Sequence, residues 1–202
     1  MSTTENENIK IGLVIMASGL GKRFGGNKLM EVLEDRPLVR WILDSTDSLF
    51  DKRIVVTRNK DVKMLCDNLN IDCIIHDFPN RNDTVRLGLS VLLNDVDYCF
   101  FAPGDQPLIG RETLSRLIEE AKENKDKIIR LSFRDTIGTP TGFPEKFFVE
   151  LLNLPEGKGG NYIANNNKNL VYTVEADNEY ELWDVDTVSD MDAIKNKRRF
   201  IT

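Results

Sequence analysis

The stretch Ile11-Gly12-Leu13-Val14-Ile15-Met16-Ala17-Ser18-Gly19-Leu20-Gly21-Lys22-Arg23-Phe24-Gly25-Gly26-Asn27-Lys28 decides how the chain is read. Its first five residues form an apolar run of the kind that makes a strand buried on both faces. The four glycines that follow let the backbone turn where a Cβ would clash, so that its N–H groups can close on an anion. Lys22, Arg23 and Lys28 add positive charge, and no acidic residue interrupts the stretch. A basic, glycine-rich loop after a buried strand, in a chain of net charge -6, points to a bound phosphate.

Two familiar phosphate loops are excluded by spacing. The dinucleotide fingerprint requires a third glycine where Phe24 stands, and a helix that starts at once. No helix signal precedes Pro37. The loop of the phosphate-cradling ATPases requires Gly-Lys-Ser/Thr after a four-residue gap. Gly21 and Gly26 have that gap, but Asn27-Lys28-Leu29 follows, with the lysine late and no hydroxyl behind it.

Outward from the loop, strand and helix patterns alternate. A helix is predicted from Pro37, a strand over Arg53–Thr57, a helix over Lys60–Leu69 and a strand over Asp72–Ile75. A helix capped by Asp83 or Thr84 is predicted to run to Leu93. A strand over Tyr98–Ala102, a helix from Gly110 through Ala121 and a strand over Ile128–Ser132 come next. This alternation predicts an α/β fold: a doubly wound, Rossmann-like, mostly parallel sheet that binds ligands at the carboxyl ends of its strands. The last third departs from it. Thr136–Pro144 reads as loop with a short strand, and Phe147–Leu152 and Tyr162–Ala164 as helical pieces. Leu170–Val174 and Leu182–Asp186 read as strands, and Val188–Ile194 as a helix capped by Thr187. This part is expected to be a small C-terminal insertion that covers the strand ends and completes a substrate pocket.

At 202 residues, with 41% hydrophobic and 30% charged side chains, the chain suits one domain over 9–202 behind a disordered polar tail over 1–8. The negative charge argues against a nucleic-acid binder. No apolar run approaches membrane-spanning length, and the tail lacks the apolar centre of a signal peptide. Cys66, Cys73 and Cys99 have no zinc-type spacing, and an odd count suits a reducing, cytoplasmic setting. Cys73 and Cys99 are expected in the core. His76, the single histidine, is expected to be structural, and Lys195, Lys197, Arg198 and Arg199 to be a solvated tail complementing the last helix.

The chemistry-bearing candidates gather at one sheet edge. Ala102-Pro103-Gly104-Asp105-Gln106-Pro107 places a carboxylate just past a buried strand, on a turn stiffened by two prolines. A carboxylate facing phosphates repels them unless a cation lies between, and Mg²⁺ takes one or two carboxylates together with phosphate oxygens and waters. In Trp183-Asp184-Val185-Asp186-Thr187, alternation would turn both acids to one face, where they could meet a metal. Equally, Asp186 or Thr187 could simply cap the last helix.

Taken together, Ala-Ser-Gly-x-Gly-x-Arg-Phe-Gly…Asn-Lys-Leu, Gly-Asp-Gln-Pro, Gly-Thr-Pro…Phe-Pro and Asp-Val-Asp-Thr resemble the molybdopterin nucleotidyltransferases, and most closely the cytidylyltransferase branch. The resemblance runs from Ile9 to the last helix. It implies transfer of CMP from CTP to molybdopterin with release of pyrophosphate, using Mg²⁺ or Mn²⁺. It assigns nucleotide binding to Ala17, Ser18, Gly19, Gly21, Arg23, Lys28, Thr84 and Gly104, and catalysis to Arg23, Lys28 and Asp105. It makes Asp105 and Asp186 the metal ligands, and sets Gly159 and Gly160 near the acceptor. Only Thr84 keeps a hydroxyl in Asn82–Arg86, where the family often has a serine-rich turn. The guanylyl branch resembles a Gly-Gly version of Ala17-Ser18, so a preference for CTP over GTP is implied. Two competing readings are another nucleotidyltransferase, with a sugar or alcohol phosphate acceptor or GTP as donor, and a chaperone that delivers the cofactor to a molybdenum hydroxylase apoenzyme.

Overall fold

The structure is a computed structural model that describes residues 9–198. The expected disordered tail and Arg199 lie outside the described residues. In chain order the regular elements are β1 (Ile11–Ala17), β2 (Val32–Leu33), β3 (Arg36–Pro37), α1 (Leu38–Ser45), β4 (Lys52–Thr57), α2 (Lys60–Asn68), β5 (Cys73–Ile75), α3 (Arg81–Leu92), β6 (Tyr98–Pro103), α4 (Arg111–Glu123), β7 (Ile128–Phe133), β8 (Thr136–Pro144), α5 (Phe148–Leu152), α6 (Gly160–Asn166), β9 (Val171–Glu175) and α7 (Val188–Arg198).

The main sheet has seven strands in the order β5-β4-β1-β6-β8-β7-β9. All neighbouring pairs are parallel except those of β8, which runs antiparallel to both β6 and β7. Helices cover both faces. On one, α1, α2, α4 and α7 pack residues such as Leu43, Val62, Leu117 and Ile194 against Leu13, Phe100 and Leu131. On the other, α3, α5 and α6 set Leu89, Leu151 and Ile163 against Val14, Phe101 and Phe143. This is the expected doubly wound, mostly parallel fold. The parallel strands β1, β4 and β6 bring Ala17, Thr57 and Pro103 to one carboxyl edge.

The sequence reading needs correcting in several places. Thr136–Pro144 is a nine-residue strand inside the sheet, not a loop. Its glycines and prolines hid it, yet Gly142 is required there: a Cβ would stand 2.5 Å from ring carbons of Phe100 and Tyr98. Gly142→Ala is therefore expected to lose about 1–3 kcal/mol by overpacking, read as a lower midpoint in urea. The last third thus supplies two strands of the main sheet, β8 and β9, rather than an insertion alone. Leu182–Asp186 is not a strand, since a 3-10 turn over Glu179–Leu182 leads into irregular chain. The cap of α3 is Asn80 rather than Asp83 or Thr84; Asp83 instead accepts the Asn80 backbone N–H at 3.3 Å. The hairpin of β2 and β3 was too short to carry a pattern. Cys99 is core as expected, whereas Cys73 is only half-buried; both, like Cys66, are free thiols.

Candidate active site

The chain leaves β1 and enters the basic loop. Gly21 has φ +60°, and a Cβ there would fall 2.1 Å from the carbonyl oxygen of Gly26, so the turn requires glycine. The Gly21 carbonyl accepts from the N–H groups of Phe24 and Gly25, which folds the loop back on itself. Lys28 then turns inward at the start of a short 3-10 turn and is only 6% exposed.

Lys28 Nζ donates to Asp105 Oδ2 at 2.6 Å, to the carbonyl of Val185 at 2.6 Å and to Asp186 Oδ1 at 2.9 Å. An ammonium has three donors, and here all three are taken by protein. Burial alone would lower the pKa of Lys28, but Asp105 and then Asp186 outweigh it, and the pKa lies above the ordinary lysine value. One cation thus draws together carboxylates that lie 81 positions apart, from the ends of β6 and of the final strap. Arg23, on the exposed rim, pairs with the other oxygen of Asp186 at 2.7 Å.

The strap is held independently. The Val185 N–H donates to the Asp105 carbonyl at 3.0 Å, and Gln106 Nε2 donates to the Leu182 carbonyl at 3.3 Å. Buried Glu181 accepts the N–H groups of Gly110 and Asp177. At the start of α7, Thr187 Oγ1 accepts the Asp190 N–H, and Asp190 Oδ2 accepts from the N–H groups of Asp186 and Thr187. Thr187 is therefore the cap, and the Asp186 side chain is turned to Lys28 and Arg23 instead. Asp184 lines the cleft beside these carboxylates. Burial, reinforced by Asp105 and Asp186, pushes its carboxyl up to about 6.

These residues border a cleft of about 720 Å³ at the carboxyl edge, a size that suits a nucleotide-sized ligand. Of the residues singled out in the sequence, Ser18, Gly19, Gly21, Arg23, Thr84, Asp105 and Asp186 line it. Ala17, Lys28 and Gly104 do not line it but form the layer beneath. Ala17 is buried, its carbonyl accepts from Thr57 Oγ1 at 2.9 Å, and Gly104 packs so close to it that a Cβ would stand 3.3 Å from the Ala17 methyl. Gly159 and Gly160 line a separate, adjoining cavity of about 300 Å³ that shares Met16, Arg81, Thr139 and Asn161 with the cleft.

Several lining residues escaped the sequence reading. Arg58 and Arg81 enter the cleft from the ends of β4 and the start of α3, and Arg130 from within β7. Nothing local marks the first two. Arg130 did carry a signal, a charge in the middle of the apolar run Ile128-Ile129-Arg130-Leu131. His76 also proves to be structural in a specific way. Its Nε2 lies 2.8 Å from Ser18 Oγ, which also donates to the Val56 carbonyl at 3.1 Å. Burial, with help from Arg58, holds the His76 pKa below its usual value, so the imidazole is neutral near pH 7.

A basic glycine loop at the carboxyl edge of a doubly wound sheet, facing two carboxylates bound by one lysine, defines the class: a nucleotidyltransferase-type α/β domain. Residues 13–170 match the MobA-like NTP transferase domain, and the chain belongs to that family. It is 27% identical over 127 residues to "Probable molybdenum cofactor guanylyltransferase" of Natranaerobius thermophilus, covering 59% of this chain and 58% of that protein. It is 26% identical over 142 residues to 2-C-methyl-D-erythritol 4-phosphate cytidylyltransferase of Lachnoclostridium phytofermentans, covering 65% of this chain and 60% of the relative. The chain thus spans about three fifths of these curated relatives. Among solved structures it shares its fold with Rv0371c of Mycobacterium tuberculosis H37Rv, at a TM-score of 0.83 and 23% identity over 94% of this chain and 99% of the other. Among the described residues no helix is long and apolar enough to cross a membrane.

Proposed function

We propose that the protein transfers CMP from CTP to the terminal phosphate of molybdopterin and releases pyrophosphate. The observation that carries this reading is the convergence of Asp105 and Asp186 on one cationic point, at the floor of a cleft rimmed by Lys22 and Arg23. A phosphate oxygen of the acceptor attacks the α-phosphorus, a new P–O bond forms, and the bond to the bridging oxygen of pyrophosphate breaks. The nucleophile is already anionic, so no protein base or nucleophile is required. The work of the chain is to hold two polyanions together and to stabilise charge on the leaving group. Arg23 on the exposed rim and the loop N–H groups would hold the triphosphate, and Thr84 in the first turn of α3 would meet the nucleoside.

The donor set fits Mg²⁺ or Mn²⁺. Asp105 and Asp186 already face a common cation, and among the described residues no three His, Cys, Asp or Glu side chains gather to hold a metal unaided. Two carboxylates completed by phosphate and water oxygens is the arrangement Mg²⁺ favours. A metal there would supply positive charge to the phosphate oxygens as the transferred group moves. The cytoplasm, where these triphosphates are made, is the compartment proposed, and a molybdenum hydroxylase apoenzyme the consumer of the product.

Incubation of the protein with molybdopterin and each nucleoside triphosphate, followed by mass analysis and pyrophosphate assay, tests the reading. CMP-molybdopterin is expected with CTP, and lower turnover with GTP. The relatives named for guanylyl and for cytidylyl transfer keep GTP as the second donor to be scored. Binding of molybdopterin with no turnover of any triphosphate would replace this reading with the delivery chaperone.

The base preference has its own test. Ser18 keeps its hydroxyl on the Val56 carbonyl and His76, and Ala17 lies beneath the cleft surface, so any selection against a purine comes from the bulk of Ser18 and the loop position it fixes. Ser18→Gly, alone and with Ala17→Gly, is expected to narrow the CTP:GTP ratio of kcat/KM by about fivefold to tenfold, about 1–1.4 kcal/mol. An unchanged ratio in the double variant would move selection to the Asn82–Thr84 turn.

A further inference from the structure

Arg130 is a charged side chain at the centre of a sheet face, 6% exposed and without an acidic partner among the described residues. Its Nη2 donates to the Gly138 carbonyl at 3.3 Å and to Asn161 Oδ1 at 2.8 Å, while no protein atom accepts from its Nε. Directly across the β7–β8 ladder stands Thr141, 3% exposed, whose Oγ1 also has no partner. Opposed residues of an antiparallel pair share a face, so two unsatisfied donors lie side by side. Arg130 lines the larger cleft, Thr141 the adjoining cavity, and Asn161 lines both.

Burying a cation without a counter-charge, and donors without acceptors, is strongly unfavourable. At this cavity wall an entering anion would supply the missing charge and acceptors. The anion is not the one that meets Asp105. Strand β8 lies between β6 and β7, and two strand spacings set their backbones about 10 Å apart.

We propose that Arg130, Thr141 and Asn161 form an oxyanion subsite at the wall shared by the cleft and the adjoining cavity, one that takes a phosphate or carboxylate group apart from the phosphates that meet Asp105. That the subsite binds an oxyanion does not depend on the transferase reading. The free Nε–H of the guanidinium offers a charge-assisted hydrogen bond to a carboxylate or phosphate oxygen, and the Thr141 hydroxyl adds a further donor.

The test is direct binding to the full chain, with no turnover required. Inorganic phosphate and acetate are titrated separately by calorimetry, while the Arg130 Nε–H resonance is followed in ¹⁵N-arginine-labelled protein and assigned by its loss in Arg130→Met. The expected result is a shift of that resonance on addition of one or both anions, and binding at least about tenfold weaker in Arg130→Met. Preference for phosphate or acetate tells which kind of oxyanion the subsite takes. Without anion, Arg130→Met should melt no lower than the parent, because an uncompensated buried charge has gone. Thr141→Val, which keeps the shape, should weaken anion binding about threefold to tenfold and decides the matter if Arg130→Met does not fold. An unmoved Nε–H resonance, or anion affinity unchanged in Thr141→Val and Arg130→Met, overturns the subsite. Failure of every triphosphate in the transfer assay alongside a shifted resonance would overturn the transferase reading and leave the subsite standing.

Discussion

Asp105→Asn is expected to lower kcat for nucleotidyl transfer by about a thousandfold, equivalent to about 4 kcal/mol, while the midpoint of thermal unfolding moves by only a few degrees. The two effects separate because Asp105 has two jobs of different size. In the fold it is one of three acceptors for Lys28, and an asparagine oxygen can still accept from Nζ while Asp186 and the Val185 carbonyl remain. Its backbone carbonyl, which accepts the Val185 N–H and fastens the strap, is untouched. In the proposed reaction the charge itself would hold a divalent cation against phosphate, and an amide supplies none. A chelator should bring the parent enzyme to the same floor, and excess Mn²⁺ should restore the parent but not the variant. Near-parental turnover by a folded Asp105→Asn protein would remove Asp105 from the site.

The fold was legible because parallel strands buried on both faces write themselves as apolar runs, as in Ile11–Ile15 and Tyr98–Ala102. It became illegible where another requirement overrode propensity. Thr136–Pro144 carries the punctuation of a loop, but Gly142 is there to admit the rings of Tyr98 and Phe100, and Gly138 to admit Leu182. The candidate site divides the same way. Gly-rich turns and a carboxylate past a strand are local patterns, so Gly21, Arg23 and Asp105 could be read along the chain. The pairing of Lys28 with Asp186, 158 positions apart, depends on how the strap returns over the sheet. The link from Ser18 to His76 likewise depends on β4 lying between β1 and β5. Arg58 and Arg81 became site residues only when their elements ended at the same edge.

Removal of Lys28 tests that long-range pairing. Lys28→Ala is expected to slow transfer by about tenfold to a hundredfold, about 1.4–2.7 kcal/mol, because the ammonium that holds Asp105 and Asp186 together is lost. The structure adds a second effect that a purely phosphate-binding lysine would not show. With Nζ gone, Asp105 and Asp186 face each other with no internal cation between them. Their partial exposure, 20% and 35% of the side chains of Asp105 and Asp186, lets water relieve part of the repulsion. The protein without divalent metal should therefore lose about 1–3 kcal/mol. Added Mn²⁺ should then raise the melting temperature of Lys28→Ala by more than it raises that of the parent, because the metal takes up repulsion that the ammonium no longer relieves and meets no cation there. Calorimetric melts of both proteins across a Mn²⁺ series check this. If Lys28→Ala melts like the parent without metal and gains no more from Mn²⁺, the ammonium is not what gathers the carboxylates, and the strap contacts of Val185 and Gln106 alone must hold Asp186 in the cleft.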